Sequence, residues 1–100
     1  MSTQGPMTEA AYYILLALTK PGHGYGMMQR IKELSGGHIE MGPGTLYGVL
    51  TRMNKEGFIA LTRSDGRRKN YEITEAGREA LLAEYRRLQL LVRDGHFLEV

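Results

Sequence analysis

The chain has no cysteine. That excludes a disulfide framework and any thiolate chemistry, and it leaves the compartment only weakly constrained. No apolar run approaches the roughly 20 residues that a membrane-spanning helix needs. No basic stretch precedes an apolar one at the N-terminus, so no secretory leader is legible and a cytoplasmic setting is expected. His23, His38 and His96 stand far apart with no carboxylate at ligand spacing, so no metal site is expected. No Ser-His-Asp, paired-carboxylate or Cys-His arrangement stands out, which argues against an enzyme, and no cofactor is called for. The stretch Gly22-His23-Gly24-Tyr25-Gly26 is a glycine-rich turn but not a phosphate loop: no strand precedes it and the Gly-Lys-Ser/Thr ending is missing. Net charge is scarce too, at +2, so its distribution matters more than its total.

What is present fits one domain of 100 residues, small enough that a partner subunit could supply part of the core. Residues 1–7 read as a disordered polar extension, in which Gly5-Pro6-Met7 is either a cleavage scar or an alternative start at Met7. Residues 8–74 form the body. Thr8 is placed to cap a helix from Glu9 to about Thr19, apolar on nearly every side and ended by Lys20-Pro21-Gly22. A second helix is expected from about Gly24 to Leu34, with Tyr25, Met28 and Ile31 inward and Met27 and Leu34 as further inward candidates; Ser35-Gly36-Gly37 stops it. His38-Ile39-Glu40 reads as a short edge strand.

The most informative stretch is Gly42 to Ile59. Pro43 suits a first helical turn and Gly57 a left-handed stop. Leu46, Val49, Leu50 and Met53 make one buried stripe at i, i+3, i+4, i+7. The opposite face carries Thr45, Tyr47, Gly48, Thr51, Arg52 and Lys55, with no carboxylate before Glu56. Two β-type runs follow, Phe58 to Arg63 and Lys69 to Ile73, joined through Ser64-Asp65-Gly66-Arg67-Arg68, and Asp-Gly between such runs is a hairpin signal. Thr74 then caps a helix from Glu75 to about Arg93, residues 75–93, whose Leu81, Tyr85, Leu88 and Val92 form an apolar stripe widened by Leu82, Leu90 and Leu91. A helix of that length outruns so small a body and is expected to pack against a symmetry mate. The tail, 94–100, carries no legible instruction.

Three helices, a hairpin with a basic tip and a long helix form the order of a mainly α, winged helix-turn-helix chain with a C-terminal dimerisation helix. In that fold the helix from Pro43 lies in the major groove of double-stranded DNA and the hairpin reaches the flanking backbone. Arg67, Arg68 and Lys69 are the cations such a contact needs, and their binding would weaken steeply with salt. Tyr47 is expected on a phosphate or else packed on the wing. Thr45 and Thr51 are short donors for phosphate, or contacts for a thymine methyl. Arg52 reaches phosphate or guanine, or pairs with Glu56. Lys55 is placed near the helix end, and Tyr25 either helps seat a phosphate on the second helix or packs in the core.

These residues also resemble a known family. PGTLYGVLTRMNKEGFI, the turn GHGYGMMQRI before it and RKNYEITEAGREAL after it are similar to the PadR family of bacterial transcriptional regulators, over about Met7 to Arg93. The resemblance implies a homodimeric repressor of the short subfamily with one helix after the wing, acting on a palindromic operator. Its members control detoxification, efflux or stress genes, and some sense small compounds. By the same resemblance the last helix makes the dimer with help from the first, and Tyr12, Tyr13, Leu16, Leu81, Tyr85, Leu88, Leu91 and Val92 line the dimer contact or an effector pocket for a small apolar or aromatic molecule. Two positions depart from the family: Gly48, where many members have proline or a larger residue, and Gly42, where a hydroxyl cap is common. The chain also lacks the tryptophan that the short subfamily sometimes stacks on a flat ligand. Two other readings compete. A winged helix that serves as a protein-interaction module would dimerise without binding DNA. An RNA binder would show exposed aromatics on its sheet, and this wing offers little beyond Tyr71.

Overall fold

A computed structural model describes residues 6–65 and 68–99, with the side chains of 63–65 and 68 left undescribed. The elements run α1 (Glu9–Ala17), β1 (Gly22–His23), α2 (Gly24–Leu34), α3 (Pro43–Glu56), β2 (Ile59–Asp65), β3 (Arg68–Ile73) and α4 (Glu75–Asp94), closed by a 3₁₀ turn at His96–Glu99. The fold is the expected one, mainly helical with a small antiparallel sheet.

Local chemistry sets the boundaries. Thr8 accepts a hydrogen bond from the Ala11 N–H at 3.1 Å and starts α1. Pro43 opens α3 behind Gly42, which contributes no side-chain cap, and Gly57 ends α3 at φ 87°, a conformation costly for any residue with a Cβ. Thr74 joins three elements at once. Its hydroxyl donates to the Gly57 carbonyl at 2.7 Å and accepts from the Gly77 N–H at 3.1 Å, while its own N–H reaches the Phe58 carbonyl. Thr74→Val keeps the shape and removes both hydroxyl bonds. A loss of about 1–2 kcal/mol is expected, read by chemical denaturation.

The core is one cluster between α1, α2, α3 and the sheet, with Ile14, Leu15, Leu18, Met27, Ile31, Leu46, Leu50 and Ile59 fully buried. Burial of apolar area at about 25 cal/mol per Å² is its main support. The α3 stripe of Leu46, Val49, Leu50 and Met53 is buried as expected.

Several expectations fail. Gly22–His23 is not only a turn: it pairs antiparallel with β3, Gly22 opposite Tyr71 and His23 opposite Asn70, giving the order β1-β3-β2. The edge strand expected at His38-Ile39-Glu40 does not form, because β1 already occupies the free edge of β3. In α2 Met27 and Ile31 are buried and Met28 packs partly buried against the core, as expected, whereas Tyr25 is 64% exposed and Leu34 is exposed as well. The buried positions 24, 27 and 31 follow i, i+3, i+7, and position 25 lies off that face. α1 stops at Ala17, two residues short. The tail is not featureless, since 96–99 makes a 3₁₀ turn.

The extension expected over residues 1–7 lies outside the described residues for 1–5, but Met7 packs against the core. It is also tied to α4. Glu84 is only 7% exposed, pairs with Arg87 through two hydrogen bonds of 2.6 and 3.0 Å, and accepts from the Met7 backbone. The Arg87 bond and then the Met7 bond hold its carboxyl below the usual range against the opposing effect of burial. A depressed folded pKa means that this contribution is full above the unfolded carboxylate value and is lost as pH falls through the folded one.

Candidate nucleic-acid interface

α3 presents two faces. Opposite its buried stripe, Thr45, Tyr47, Gly48, Thr51, Arg52 and Lys55 are all exposed, as the sequence implies. A Cβ at Gly44 or Gly48 would meet nothing within 4 Å. The ridge between these side chains is therefore low, and another surface can approach the backbone there. None of the ion pairs formed by the described side chains involves Arg52, Lys55 or Lys69. The pairing of Arg52 with Glu56 does not form.

The expected contact residues do not make one patch. Tyr25, Tyr47, Thr51 and Lys69 come together around an open cleft of about 490 Å³, where the start of α2, the first turns of α3 and β3 meet; Tyr71 also lines it. Arg52 lies on the other flank of α3, beside Met7, Thr8 and Phe58. Thr45 lines a separate hollow with Glu9 and His38–Gly42. Tyr47 packs closely over Gly24, where a Cβ would overlap its hydroxyl and sit 2.6 Å from its Cζ. Thr51 is less available than expected, because its hydroxyl donates to the Tyr47 carbonyl at 2.8 Å and retains only acceptor capacity and its methyl group. The Tyr25 hydroxyl accepts from Gln29 Nε2 at 3.3 Å, which leaves its own proton free. His23 caps α2 by accepting the Gly26 N–H on Nδ1 at 3.5 Å. A histidine cap is hard to foresee, since Ser, Thr, Asp and Asn are the usual capping signals.

Of the wing-tip cations, Lys69 is exposed, the Arg68 side chain is not described, and Arg67 lies outside the described residues. β2 and β3 pair from Ile59 opposite Ile73 to Asp65 opposite Arg68, with an irregularity between Leu61 and Arg63.

The second expected site lies on α4. Its stripe begins covered at Leu81 and loses cover along the helix: Leu88 is half-buried, Tyr85 is 48% exposed and Val92 is 72% exposed. Leu91, Phe97 and Leu98 add exposed apolar surface at the same end. Leu16, Leu81 and Tyr85 line a groove of about 320 Å³ with Arg78 and Leu82. Tyr12 stands near Tyr85 and Glu84, and its phenol pKa is raised first by burial and then by those neighbours. Tyr13 turns away from the groove. Its ring meets Tyr12 edge-on at 6.1 Å and His38 at 6.4 Å. No group of His, Asp and Glu among the described residues could hold a metal ion, and none of their helices is long and apolar enough to cross a membrane.

This arrangement of helix, three-stranded wing and trailing helix is a winged helix-turn-helix. A model of the PadR-like transcriptional regulator family matches residues 14–83, and the chain belongs to that family, which is one of transcriptional regulators and not of enzymes. A PadR family regulator from Clostridium difficile R20291 superimposes with TM-score 0.78 at 22% identity, covering 91% of this chain and 99% of that one. The Bacillus subtilis PadR solved in complex with operator DNA is 28% identical with TM-score 0.67, covering 80% of this chain and 48% of that one. Among curated sequences the chain is 36% identical over 77 residues to an uncharacterised 37.1 kDa protein of transposon TN4556 from Streptomyces fradiae; the match takes in 76% of this chain and 22% of that protein. The chain thus spans about a fifth of that relative's length.

Proposed function

We propose that the chain is a sequence-specific, DNA-binding transcriptional repressor that acts in the cytoplasm as a homodimer on a palindromic operator. The observation that carries this reading is the exposed face of α3. It is small, hydroxyl-bearing and cationic, it has no carboxylate before Glu56, and it adjoins the wing at Lys69. Such a face suits the major groove, where the low ridge at Gly44 and Gly48 permits close approach. The operator complex of the Bacillus subtilis relative supports the same assignment. The uncovered α4 stripe supports the dimer, because one copy leaves Tyr85, Leu91 and Val92 without a partner surface. Two such copies would read half-sites about 34–36 Å apart. The groove at Leu16, Leu81 and Tyr85 is where a small apolar or aromatic effector would bear on the dimer and release the DNA.

Fluorescence anisotropy with the native upstream intergenic DNA, beside a scrambled duplex at two salt concentrations, tests the reading. Tight, salt-sensitive binding that prefers the native sequence is expected. Absence of binding by a folded dimer at low salt would instead make the chain an interaction module. The wing has its own test. Arg67→Glu with Arg68→Glu is expected to weaken DNA binding roughly 30–100-fold near 50 mM salt and to lower the salt slope by about 2, since two phosphate contacts would no longer release counterions. An unchanged slope would take the wing out of the interface.

A further inference from the structure

Without cysteine, the chain carries sulfur only as thioether, in six methionines. Among the described ones, Met27 and Met53 are 1% and 3% exposed, inside the core. Met7, Met28 and Met41 are half-buried and pack against its edge. A sulfur so placed is reached by small solutes while its neighbours depend on its shape. Met28 and Met41 also share one location. Both line an open hollow of about 230 Å³, together with Tyr25, Gln29, Lys32 and Glu40. Met28 belongs to α2 and Met41 stands two residues before Pro43, so the hollow bridges α2 and the entry to α3.

That entry has few other restraints. Gly42 gives α3 no side-chain cap. Between the helices the Ser35 hydroxyl accepts the Ile39 N–H at 3.0 Å, and Lys32 pairs with Glu40 at 3.1 Å. Both partners of that ion pair are exposed, so it holds little. The packing of Ile39 and Met41 against the core is what further fixes the path into α3.

We propose that Met28 and Met41 form an oxidation site for peroxides, and that their sulfoxides loosen the seating of α3 on α2 and so weaken DNA binding. The effect on DNA rests on the DNA-binding reading; the site itself does not. In the reaction the thioether sulfur gives an electron pair to one peroxide oxygen. The S–O bond forms, the O–O bond breaks, and the second oxygen leaves as water after taking the proton. Sulfur is oxidised by two electrons and the peroxide is reduced by two. A flexible apolar side chain becomes a polar one. Its oxygen needs water or a donor where the core edge offers apolar neighbours, and the contact opens to supply it. If α3 then holds its reading position for only about a tenth of the time, apparent affinity falls roughly tenfold.

Exposure to dilute hydrogen peroxide, followed by peptide mass spectrometry and DNA anisotropy, tests this. One oxygen should enter Met28 and Met41 before Met27 and Met53. DNA affinity should fall roughly tenfold and return after treatment with methionine sulfoxide reductases. Met28→Leu with Met41→Leu keeps the apolar volume, so it should bind DNA like the wild type before exposure and hold that affinity afterwards. If the double variant folds poorly, Met41→Leu alone stands in, with partial protection expected and none overturning the site. Met7→Leu should stay sensitive. Oxygen on Met28 and Met41 with affinity intact, or an equal loss in the double variant, refutes the site while the DNA-binding reading stands. If the wild type binds no DNA, that reading falls and stability decides. Peroxide should then lower the urea midpoint of the wild type and spare that of the double variant. Equal shifts would overturn the proposal.

Discussion

Leu91→Asp combined with Val92→Asp is expected to give a folded monomer. Both side chains are more than half exposed in a single copy, Val92 at 72%, so replacing them removes little from the protomer's own core. Their place is the uncovered end of the α4 stripe, where the proposed partner would bury them. Two carboxylates facing two more across a dyad would be desolvated without counter-charges, a penalty that association cannot absorb. Light scattering at micromolar concentration should report one copy, with helical content preserved by circular dichroism. Affinity for a full palindrome should fall by about 10²–10⁴, the gain that linking two binding modules supplies, while affinity for an isolated half-site stays unchanged. A variant that remains dimeric would place the interface away from α4.

Gly77→Ala is expected to be the most damaging single-methyl change in the chain. Gly77 sits in the first turn of α4, and a Cβ there would overlap the Phe58 carbonyl oxygen, lie 2.8 Å from Ile73 Cγ1 and stand 3.1 Å from the Phe58 carbonyl carbon. The Phe58 carbonyl cannot retreat freely. It accepts the Thr74 N–H at 3.1 Å, immediately after the left-handed Gly57, and the Thr74 hydroxyl ties Gly57 to Gly77 from the other side. Relief must therefore separate α4 from the end of α3. A cost of about 3 kcal/mol is expected from such overpacking, at the upper end of its usual range. Urea denaturation of Gly77→Ala beside the wild type measures it, and a loss under 1 kcal/mol would mean that the α3–α4 junction is softer than its bonds imply.

Both positions illustrate how unevenly the chain can be read. Features with local causes were legible. Thr8 and Thr74 are hydroxyl caps at helix starts, Pro43 and Gly57 bracket α3, and the i, i+3, i+4, i+7 apolar stripe identified its buried face without reference to anything distant. What stayed hidden depends on remote partners. β1 is two residues long and contains a glycine, so only its pairing with Tyr71 and Asn70, nearly fifty positions on, makes it a strand. Gly77 reads as an ordinary helix glycine until Phe58 is placed against it. Glu84 reads as a solvated charge on a polar face, yet Met7 and Arg87 enclose it. In the candidate interface, the residue types were legible on α3, but their division between two flanks was not. That division follows from Tyr47 packing on Gly24 and from Arg52 facing the N-terminal segment. Alternation places Tyr71 on one face of its strand with Ile73, and both are buried, but the elements that cover that face lie elsewhere in the chain.

The third strand has a thermodynamic consequence. A two-stranded ribbon is marginally stable in water and would lose much of its entropy on meeting a partner. Here β3 is flanked on both edges, by β2 and by the two residues of β1 that lead directly into α2. The base of the wing is therefore ordered before any encounter, and its direction is fixed relative to the helices. Association then needs to immobilise less of the chain, so more of each contact's free energy remains as affinity.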